Sequence, residues 1–257
     1  MKVQILGAHN IESESTGCIS LLVDDVMAID AGALTSSLSF PAQQKLKAVL
    51  LTHQHYDHTR DIPALGMNFF MHGNTIDVYS TAQVRDVLLE HLLNDSLYPN
   101  FMEKPPEKPS IKFNELKPGR AESIAGYKVL AVPVNHAVPT VGYEVTAPDG
   151  KKLFYTGDTG PGLEECWRRV SPDLLIIEVT ALNKRAQFSM RSGHLTAEML
   201  QKELESLRKL KGRLPQQIVT VHMNPLDEPE IKKELNTVAA ALHTEIKLGR
   251  EGMIIEF

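Results

Sequence analysis

Short apolar runs bounded by turn-forming residues dominate the hydrophobic pattern of this chain. Such runs, and alternation of apolar and polar positions, are typical of β-strands. In the first half, the predicted strands cover residues 3–6, 18–23, 26–29 and 47–52. In the second half, they cover residues 128–134, 141–146, 153–156, 174–178, 218–221, 245–248 and 253–257.

Apolar residues spaced three or four positions apart predict the helices, which cover residues 62–69, 82–93, 196–209 and 230–243. Strands that alternate with helices in two strand-rich halves predict an α/β protein. Its expected architecture is a four-layer α/β/β/α sandwich, two β-sheets flanked by helices. We assign a single domain, residues 1–257, made of two fused halves at approximately 1–126 and 127–257.

Two local features accompany this pattern. In the helix at 82–93, His91 falls on the same stripe as Val84 and Leu88, so we expect it to be a buried histidine of the core. The following segment, 94–119, is polar, contains EKPPEKP and is longer than most connections. It has two interpretations, a lid or insertion beside the substrate and a surface excursion.

Composition narrows the class of protein. A chain of 257 residues with 42% hydrophobic content can bury a large core. The net charge of −5, without a basic block, argues against a long nucleic-acid duplex as partner but allows a small anionic substrate. Cys18 and Cys166 lie far apart without CxxC spacing, which indicates neither a disulfide framework nor a cysteine zinc site.

The same sequence bears on location. The N-terminal stretch MKVQILGAHNIES has too short an apolar run for a signal peptide. No apolar run reaches the length that crosses a bilayer. We therefore expect a cytoplasmic protein without a membrane partner.

The stretch LLTHQHYDHTRD, residues 50–61, concentrates histidine and aspartate directly after a predicted strand. His53 and His55 can reach one metal ion from this turn, while Asp57 and His58 point toward a second. Imidazole and carboxylate donors suit zinc, with manganese and iron as alternatives. The competing interpretation is a polar surface turn.

The segment THQHYDH, residues 52–58, resembles the THxHxDH signature of metallo-β-lactamase-fold hydrolases. The resemblance implies a third histidine, a bridging aspartate and a last histidine, each after a later strand. His136 in VPVNHAVP, Asp158 in LFYTGDTGPG and His222 in IVTVHMNP occupy these positions. The implied ligands of two divalent metal ions, zinc in the first place, are His53, His55, Asp57, His58, His136, Asp158 and His222.

Two further segments resemble the ribonuclease Z-like phosphodiesterase branch. DLLIIEVTA places Glu178 at the end of a strand, and SGHLTAEML places His194 before a helix. The resemblance implies that this pair assists departure of the leaving group. A carboxylate that fixes an imidazole and raises its pKa prepares it to donate a proton near neutral pH. The alternative is a turn-capping glutamate and a helix-entry histidine.

Other stretches, LLEHLLNDSLYPNF and VNHAVPTVGYE, are most similar to class II 3′,5′-cyclic-nucleotide phosphodiesterases. The implied reaction is hydrolysis of cyclic nucleotides such as cAMP or cGMP by metal-bound hydroxide, with Asp57, Glu178 and His194 as catalytic residues. Tyr56 stands where that family usually has leucine. Asp30, in AIDAG, matches a position that usually supports the ligand histidines, although it can equally be a strand-ending turn.

Several alternatives stay open. Transfer-RNA processing relatives usually carry a long insertion between the third histidine and the bridging aspartate, and the short 137–157 interval argues against a tRNA partner. A glyoxalase II-type thioesterase shares the ligand pattern but not the glutamate and histidine pair. A catalytically degenerate binding module is the remaining alternative. Relatives often form homodimers, so a second copy of the chain is a candidate partner.

Residues outside these motifs receive simpler interpretations. Three basic residues lie between Glu178 and His194, namely Lys184, Arg185 and Arg191. One interpretation is that they contact a substrate phosphate, and the simpler one is that they keep a loop soluble. The remaining histidines are read as structural or surface residues, namely His9, His72, His91 and His243.

Overall fold

Two mixed β-sheets, each of seven strands, form the centre of the molecule in the computed structural model, which describes residues 1–257. The strands are β1 (Lys2–Gly7), β2 (Ser20–Val23), β3 (Met27–Ile29), β4 (Ala48–Leu50), β5 (Ile76–Ser80), β6 (Ile111–Glu115), β7 (Ala121–Ile124), β8 (Tyr127–Val134), β9 (Thr140–Thr146), β10 (Lys152–Tyr155), β11 (Leu174–Glu178), β12 (Gln217–Val221), β13 (Lys247–Leu248) and β14 (Ile254–Glu256). The α-helices are α1 (Leu34–Ser37), α2 (Phe40–Gln43), α3 (Tyr56–Thr59), α4 (Ile62–Met71), α5 (Ala82–His91), α6 (Glu164–Arg169), α7 (Ala186–Ser192), α8 (Ala197–Lys211) and α9 (Glu228–Leu242). The structure contains no helix with both the length and the hydrophobicity that spanning a bilayer requires.

The strand order is β14-β1-β2-β3-β4-β5-β6 in the first sheet and β13-β12-β11-β10-β9-β8-β7 in the second. The C-terminal strand β14 pairs with β1, so the end of the chain completes the first sheet. The strand β7 pairs with β8 and belongs to the second sheet. The division into halves near residue 126 remains a proposal.

Three apolar layers separate the sheets and helices. The central layer lies between the sheets, and the outer layers pack α4 and α5 on the first sheet and α6, α8 and α9 on the second. In β4, Leu50 faces the central layer and Val49 the outer one, because successive side chains of a strand point to opposite faces. Burial on both faces explains the continuous apolar runs of the sequence. The predicted four-layer α/β/β/α sandwich is confirmed.

The parallel strands end at one edge of the sandwich, which positions the site. In the first sheet, β3 and β4 run parallel. In the second sheet, β10, β11 and β12 run parallel, and β8 has the same direction because it is antiparallel to β9. The segments that leave the carboxyl ends of these strands carry the predicted ligands, so the topology gathers residues that are distant in sequence.

Local departures from the prediction occur where elements are short or polar. The sequence pattern did not reveal β5, β6, β7, α6 or α7. The segment 94–119 is anchored rather than wholly free, because β6 pairs with β5 and Phe101 is 2% exposed. The prediction that His91 is buried is wrong. Its side chain is 61% exposed, because the apolar stripe continues through Leu92 and Leu93, which pack in the outer layer, and His91 lies beside that stripe.

A hydrogen bond between the sheets gives a test of the packing below the site. The hydroxyl of Tyr143, on β9, donates to the carbonyl of Leu51 at 2.7 Å, whereas the buried hydroxyl of Tyr155 has no hydrogen-bond partner. We expect Tyr143→Phe to lower the free energy of unfolding by about 1 kcal/mol, the typical value of such a bond. The matched variant Tyr155→Phe is expected to have an unchanged or higher free energy of unfolding. Urea denaturation of both variants measures the difference, and equal losses would contradict the assignment.

Candidate metal centre

The turn after β4 brings three histidines and an aspartate to the edge of the first sheet. His53 and His55 lie in the connection that leads into α3, and Asp57 and His58 lie within α3. The main chain of this turn is fixed to the end of β3, because the amide of Ala31 donates to the carbonyl of His58 at 2.7 Å. A ligand-rich turn is therefore held by the neighbouring strand.

One group of potential ligands consists of His53, His55, His136 and Asp158, whose donor atoms lie within 4.8 Å of one another. His136 Nε2 lies 3.2 Å from His55 Nδ1, and His53 Nε2 lies 3.7 Å from Asp158 Oδ2. Burial lowers the pKa of His53, His55 and His136, and neighbouring imidazoles add to the effect. These rings are therefore neutral at pH 7, the form that binds a metal.

A second group consists of Asp57, His58, Asp158 and His222, with donor atoms within the same 4.8 Å limit. His222 Nε2 lies 3.2 Å from Asp57 Oδ2, and His58 Nε2 lies 3.3 Å from Asp158 Oδ1. Burial opposes ionisation of Asp57, but the charges of His58 and His222 outweigh it and hold the pKa of this carboxyl well below its usual range. Asp158 belongs to both groups, which is the arrangement required of a bridging ligand.

Buried polar atoms without partners show that the two groups fit divalent cations. His53 Nε2, His58 Nε2 and Asp158 Oδ1 are buried without a hydrogen bond, which is costly, although the two imidazole nitrogens lie 3.7 and 3.3 Å from the carboxylate of Asp158. Burial lowers the pKa of His58, but Asp158, Asp30 and Asp57 raise it more, so the surroundings of this ring favour positive charge. A divalent cation at this position would supply that charge and give these atoms a partner.

Asp30, at the end of β3, supports the ligands from behind. Its Oδ2 accepts from His58 Nδ1 at 2.8 Å, and its Oδ1 accepts from the amide of Thr52 at 2.8 Å. The Thr52 hydroxyl donates its single proton to the same carboxylate. In its 3.0 Å contact with His53 Nδ1, the hydroxyl oxygen is therefore the acceptor and Nδ1 is the donor. Both imidazoles thereby present Nε2 to the ligand groups.

Thr180 plays the corresponding part in the second sheet, and sequence reasoning missed it. Its hydroxyl donates to Glu178 Oε2 at 2.8 Å and lies 2.8 Å from His222 Nδ1. His136 is oriented by the main chain instead, because its Nδ1 donates to the carbonyl of Gly193 at 2.8 Å. The only sequence signal for these residues is their position beside predicted site residues.

Glu178, which is buried, and His194, which is partly exposed, form a pair beside the ligand groups. His194 Nδ1 donates to Glu178 Oε1 at 2.7 Å, and the glutamate also accepts from the amides of Thr159 and Leu195. Burial alone lowers the pKa of His194, but the charge and hydrogen bond of Glu178 raise it to about 9. The ring of His194 lies 4.9 Å from that of His136, so a protonated imidazole adjoins the candidate metal centre.

The remaining sequence candidates lie elsewhere. Lys184 pairs with Glu230 at 3.6 Å and Arg185 with Asp227 at 3.0 Å, so both contact the start of the helix α9. His72 and His243 are exposed. His9 differs from them because it is 3% exposed and lies between two carboxylates.

The chain matches the family model described as "Beta-lactamase superfamily domain" over residues 21–223, and it belongs to that family. Ribonuclease Z of Pyrococcus horikoshii is 28% identical over 167 residues, 58% of this chain and 50% of that protein. The aligned part thus spans half the length of this curated relative. The family and fold predicted from the THQHYDH segment are confirmed.

Solved structures with the same fold cover essentially the whole chain. The metallo-β-lactamase fold protein YhfI from Bacillus subtilis has a TM-score of 0.78 at 20% identity, with 99% of each chain covered. Unliganded yeast PDE1 has a TM-score of 0.85 at 17% identity, covering 100% of this chain and 99% of that one. The chain therefore has the fold of metallo-β-lactamase-fold hydrolases.

Gly193 offers a test of how the main chain positions His136. It ends α7 at φ 73°, and an added Cβ would lie 2.7 Å from the amide nitrogen of Ala137 and 2.8 Å from His136 Cα. We expect Gly193→Ala to displace His136 and reduce zinc affinity at least about tenfold. The control is Gly212→Ala, at φ 76° with no atom within 4 Å. Both substitutions place a Cβ at a left-handed position and should lower the free energy of unfolding by about 1–2 kcal/mol. Zinc affinity, measured by competition titration with a chelator, should therefore differ only through the displacement of His136. Equal zinc affinities in the two variants would contradict the prediction.

Asp30 can be tested in the same titration. We expect Asp30→Ala to weaken zinc binding about 10- to 100-fold, because His58 and Thr52 lose the carboxylate that orients them. Asp25→Ala removes a carboxylate that is exposed on the β2–β3 turn and serves as the control. Wild-type affinity in Asp30→Ala would show that the ligands do not need this support.

Proposed function

We propose that this protein is a phosphodiesterase that uses two divalent metal ions and hydrolyses small phosphodiesters, with 3′,5′-cyclic nucleotides as the substrate class. The observation that carries the proposal is the hydrogen bond of 2.7 Å between His194 and Glu178 beside the ligand groups. An alkoxide leaving group in a phosphodiester requires a proton, and His194 is held where it can supply one.

His53, His55, His136 and Asp158 would hold one metal ion, and Asp57, His58, Asp158 and His222 the other. Such ions lower the pKa of water and offset the charge of phosphoryl oxygens. Zinc is the first candidate for both positions, with manganese and iron as alternatives, because the donors are imidazole nitrogens and carboxylate oxygens.

Protein side chains would orient the attacking water and protonate the leaving group. Asp57, which stays ionised, can orient an attacking water as well as bind metal. His194 carries a proton near neutral pH because Glu178 raises its pKa to about 9. Since Nδ1 is engaged by the glutamate, Nε2 is the nitrogen that donates to the departing oxygen. Glu178 is itself fixed by two main-chain amides, so the imidazole keeps its orientation during the reaction.

A ribonuclease is the second candidate, favoured by the sequence relative named ribonuclease Z. The connection between His136 and Asp158 contains only β9, a tight turn and β10. This compact hairpin favours a small substrate over a folded RNA. A thioesterase would have less use for an imidazole acid, because a thiolate leaves without a proton more easily than an alkoxide does.

The test compares 3′,5′-cyclic AMP with bis-p-nitrophenyl phosphate, using zinc-loaded wild type and His194→Ala. We expect the variant to lose about 10²–10⁴-fold in kcat on cyclic AMP, the usual contribution of a general acid. The loss on the nitrophenyl ester should be small, because nitrophenolate leaves without protonation. His91→Ala, which changes an exposed histidine on α5, should behave as wild type on both substrates.

Other outcomes separate the alternatives. Cleavage of the nitrophenyl ester alone would retain a metal-dependent hydrolase but contradict cyclic nucleotides as substrates. Parallel assays with a precursor tRNA and with a thioester identify the ribonuclease and the thioesterase. Equal losses on both diesters in His194→Ala would contradict its role as the acid.

A further inference from the structure

His9 is a buried histidine outside the ligand groups, placed between two carboxylates. Its Nδ1 lies 2.8 Å from Glu251 Oε1, and its Nε2 lies 3.1 Å from Glu228 Oε2. A carboxylate only accepts hydrogen bonds, so both contacts require that both ring nitrogens carry protons. Burial lowers the pKa of His9, but the two glutamates raise it more. The side chain is therefore an imidazolium with two ionic partners.

The main chain around His9 contacts the segment that carries His222. The amide of His222 donates to the carbonyl of Ala8 at 2.6 Å, and the amide of Asn10 donates to the carbonyl of Met223 at 3.3 Å. His9 and Met223 form an isolated parallel bridge. The strand β12 ends at Val221. Beyond the sheet, the chain at His222 and Met223 is therefore held by these main-chain hydrogen bonds to the N-terminal loop.

The carboxylates fix this arrangement from two other directions. Glu228 is the first residue of α9, so its contact with His9 restrains the far end of the segment 222–228. Glu251 lies between β13 and β14, and its Oε1 also accepts from the amides of Ala8 at 3.1 Å and Gly17 at 2.9 Å. The His9 side chain thus connects the N-terminal loop with the C-terminal turn and with the Glu228 end of the segment 222–228, while the main chain of the same loop holds the His222 end.

The segment needs such restraint because His222 has φ 63°, a left-handed conformation that a residue with a Cβ adopts at a cost of about 1–2 kcal/mol. We propose that His9 is a positioning residue: its side chain holds the Glu228 end of the segment 222–228 to the N-terminal loop, whose main chain holds the His222 end, and the His222 imidazole is thereby fixed in its ligand group. The effect on metal binding rests on the proposed function, whereas the effect on the position of the segment does not.

The first measurement is amide hydrogen exchange in the intact protein without metal. In His9→Ala, we expect the His222 amide to exchange at least about tenfold faster than in wild type, while the amides of β11 keep their protection. Glu228→Ala should accelerate the same amide by a smaller factor, because His9 keeps its contact with Glu251, and Glu228→Gln should be close to wild type because its side-chain carbonyl oxygen can still accept from the imidazole. The control is Glu144→Ala, which removes a buried carboxylate that accepts from the amide of Ser171 on another face.

The second measurement is zinc titration of the same variants. In His9→Ala, we expect one equivalent to bind as in wild type and the other to bind about 10- to 100-fold more weakly. An unchanged His222 amide, equal acceleration of the β11 amides, or equal weakening of both equivalents would overturn the role of His9. If wild type binds fewer than two equivalents, the two-metal function fails, and hydrogen exchange still decides whether His9 positions the segment.

Discussion

The buried carboxylate of Asp158 is the centre on which the site depends. It is 1% exposed, and four imidazole nitrogens lie between 3.3 and 3.8 Å from it, those of His53, His58, His136 and His222. Burial raises the pKa of Asp158, but the neighbouring histidines outweigh this and lower it well below its usual range, so the carboxylate stays charged. A buried charge is stable only with compensating charge or hydrogen bonds. The convergence of strand ends from both sheets provides that compensation.

Next to each sheet, a threonine hydroxyl lies between a carboxylate and an imidazole and orients the imidazole by hydrogen bonding to both. Thr52 lies between Asp30 and His53, and Thr180 lies between Glu178 and His222. A hydroxyl has one proton, so donation to the carboxylate leaves the oxygen free to accept from the imidazole Nδ1. The carboxylate of the second arrangement, Glu178, also accepts a hydrogen bond from His194. Glu178 therefore orients both a candidate ligand and the candidate acid.

The sequence predicted the sandwich because its strands and helices leave local patterns, whereas the later ligands His136, Asp158 and His222 were named only through the family resemblance. Apolar runs such as 174–178 are visible without tertiary information, and so is the density of histidine in 52–58. The edge strand β7 was missed because its positions are largely polar and exposed, and α6 because a helix of six residues has too few turns for a periodic pattern. His91 shows the opposite error, since a periodic stripe does not fix which of two neighbouring positions, here His91 and Leu92, faces the core.

The supporting residues were hidden for a different reason. The roles of Thr180 and Gly193 arise only when separate strand ends meet, and their residue types are common in ordinary turns. The backbone conformation of the site was equally hidden from the sequence, because Asp30 and His222 have left-handed φ values of 58° and 63°. Such conformations persist only where surrounding bonds outweigh their strain. The hydrogen bonds of Asp30 and the contacts of His222 with Ala8 and Thr180 supply this restraint, so the geometry of the candidate centre depends on residues that ligand motifs do not include.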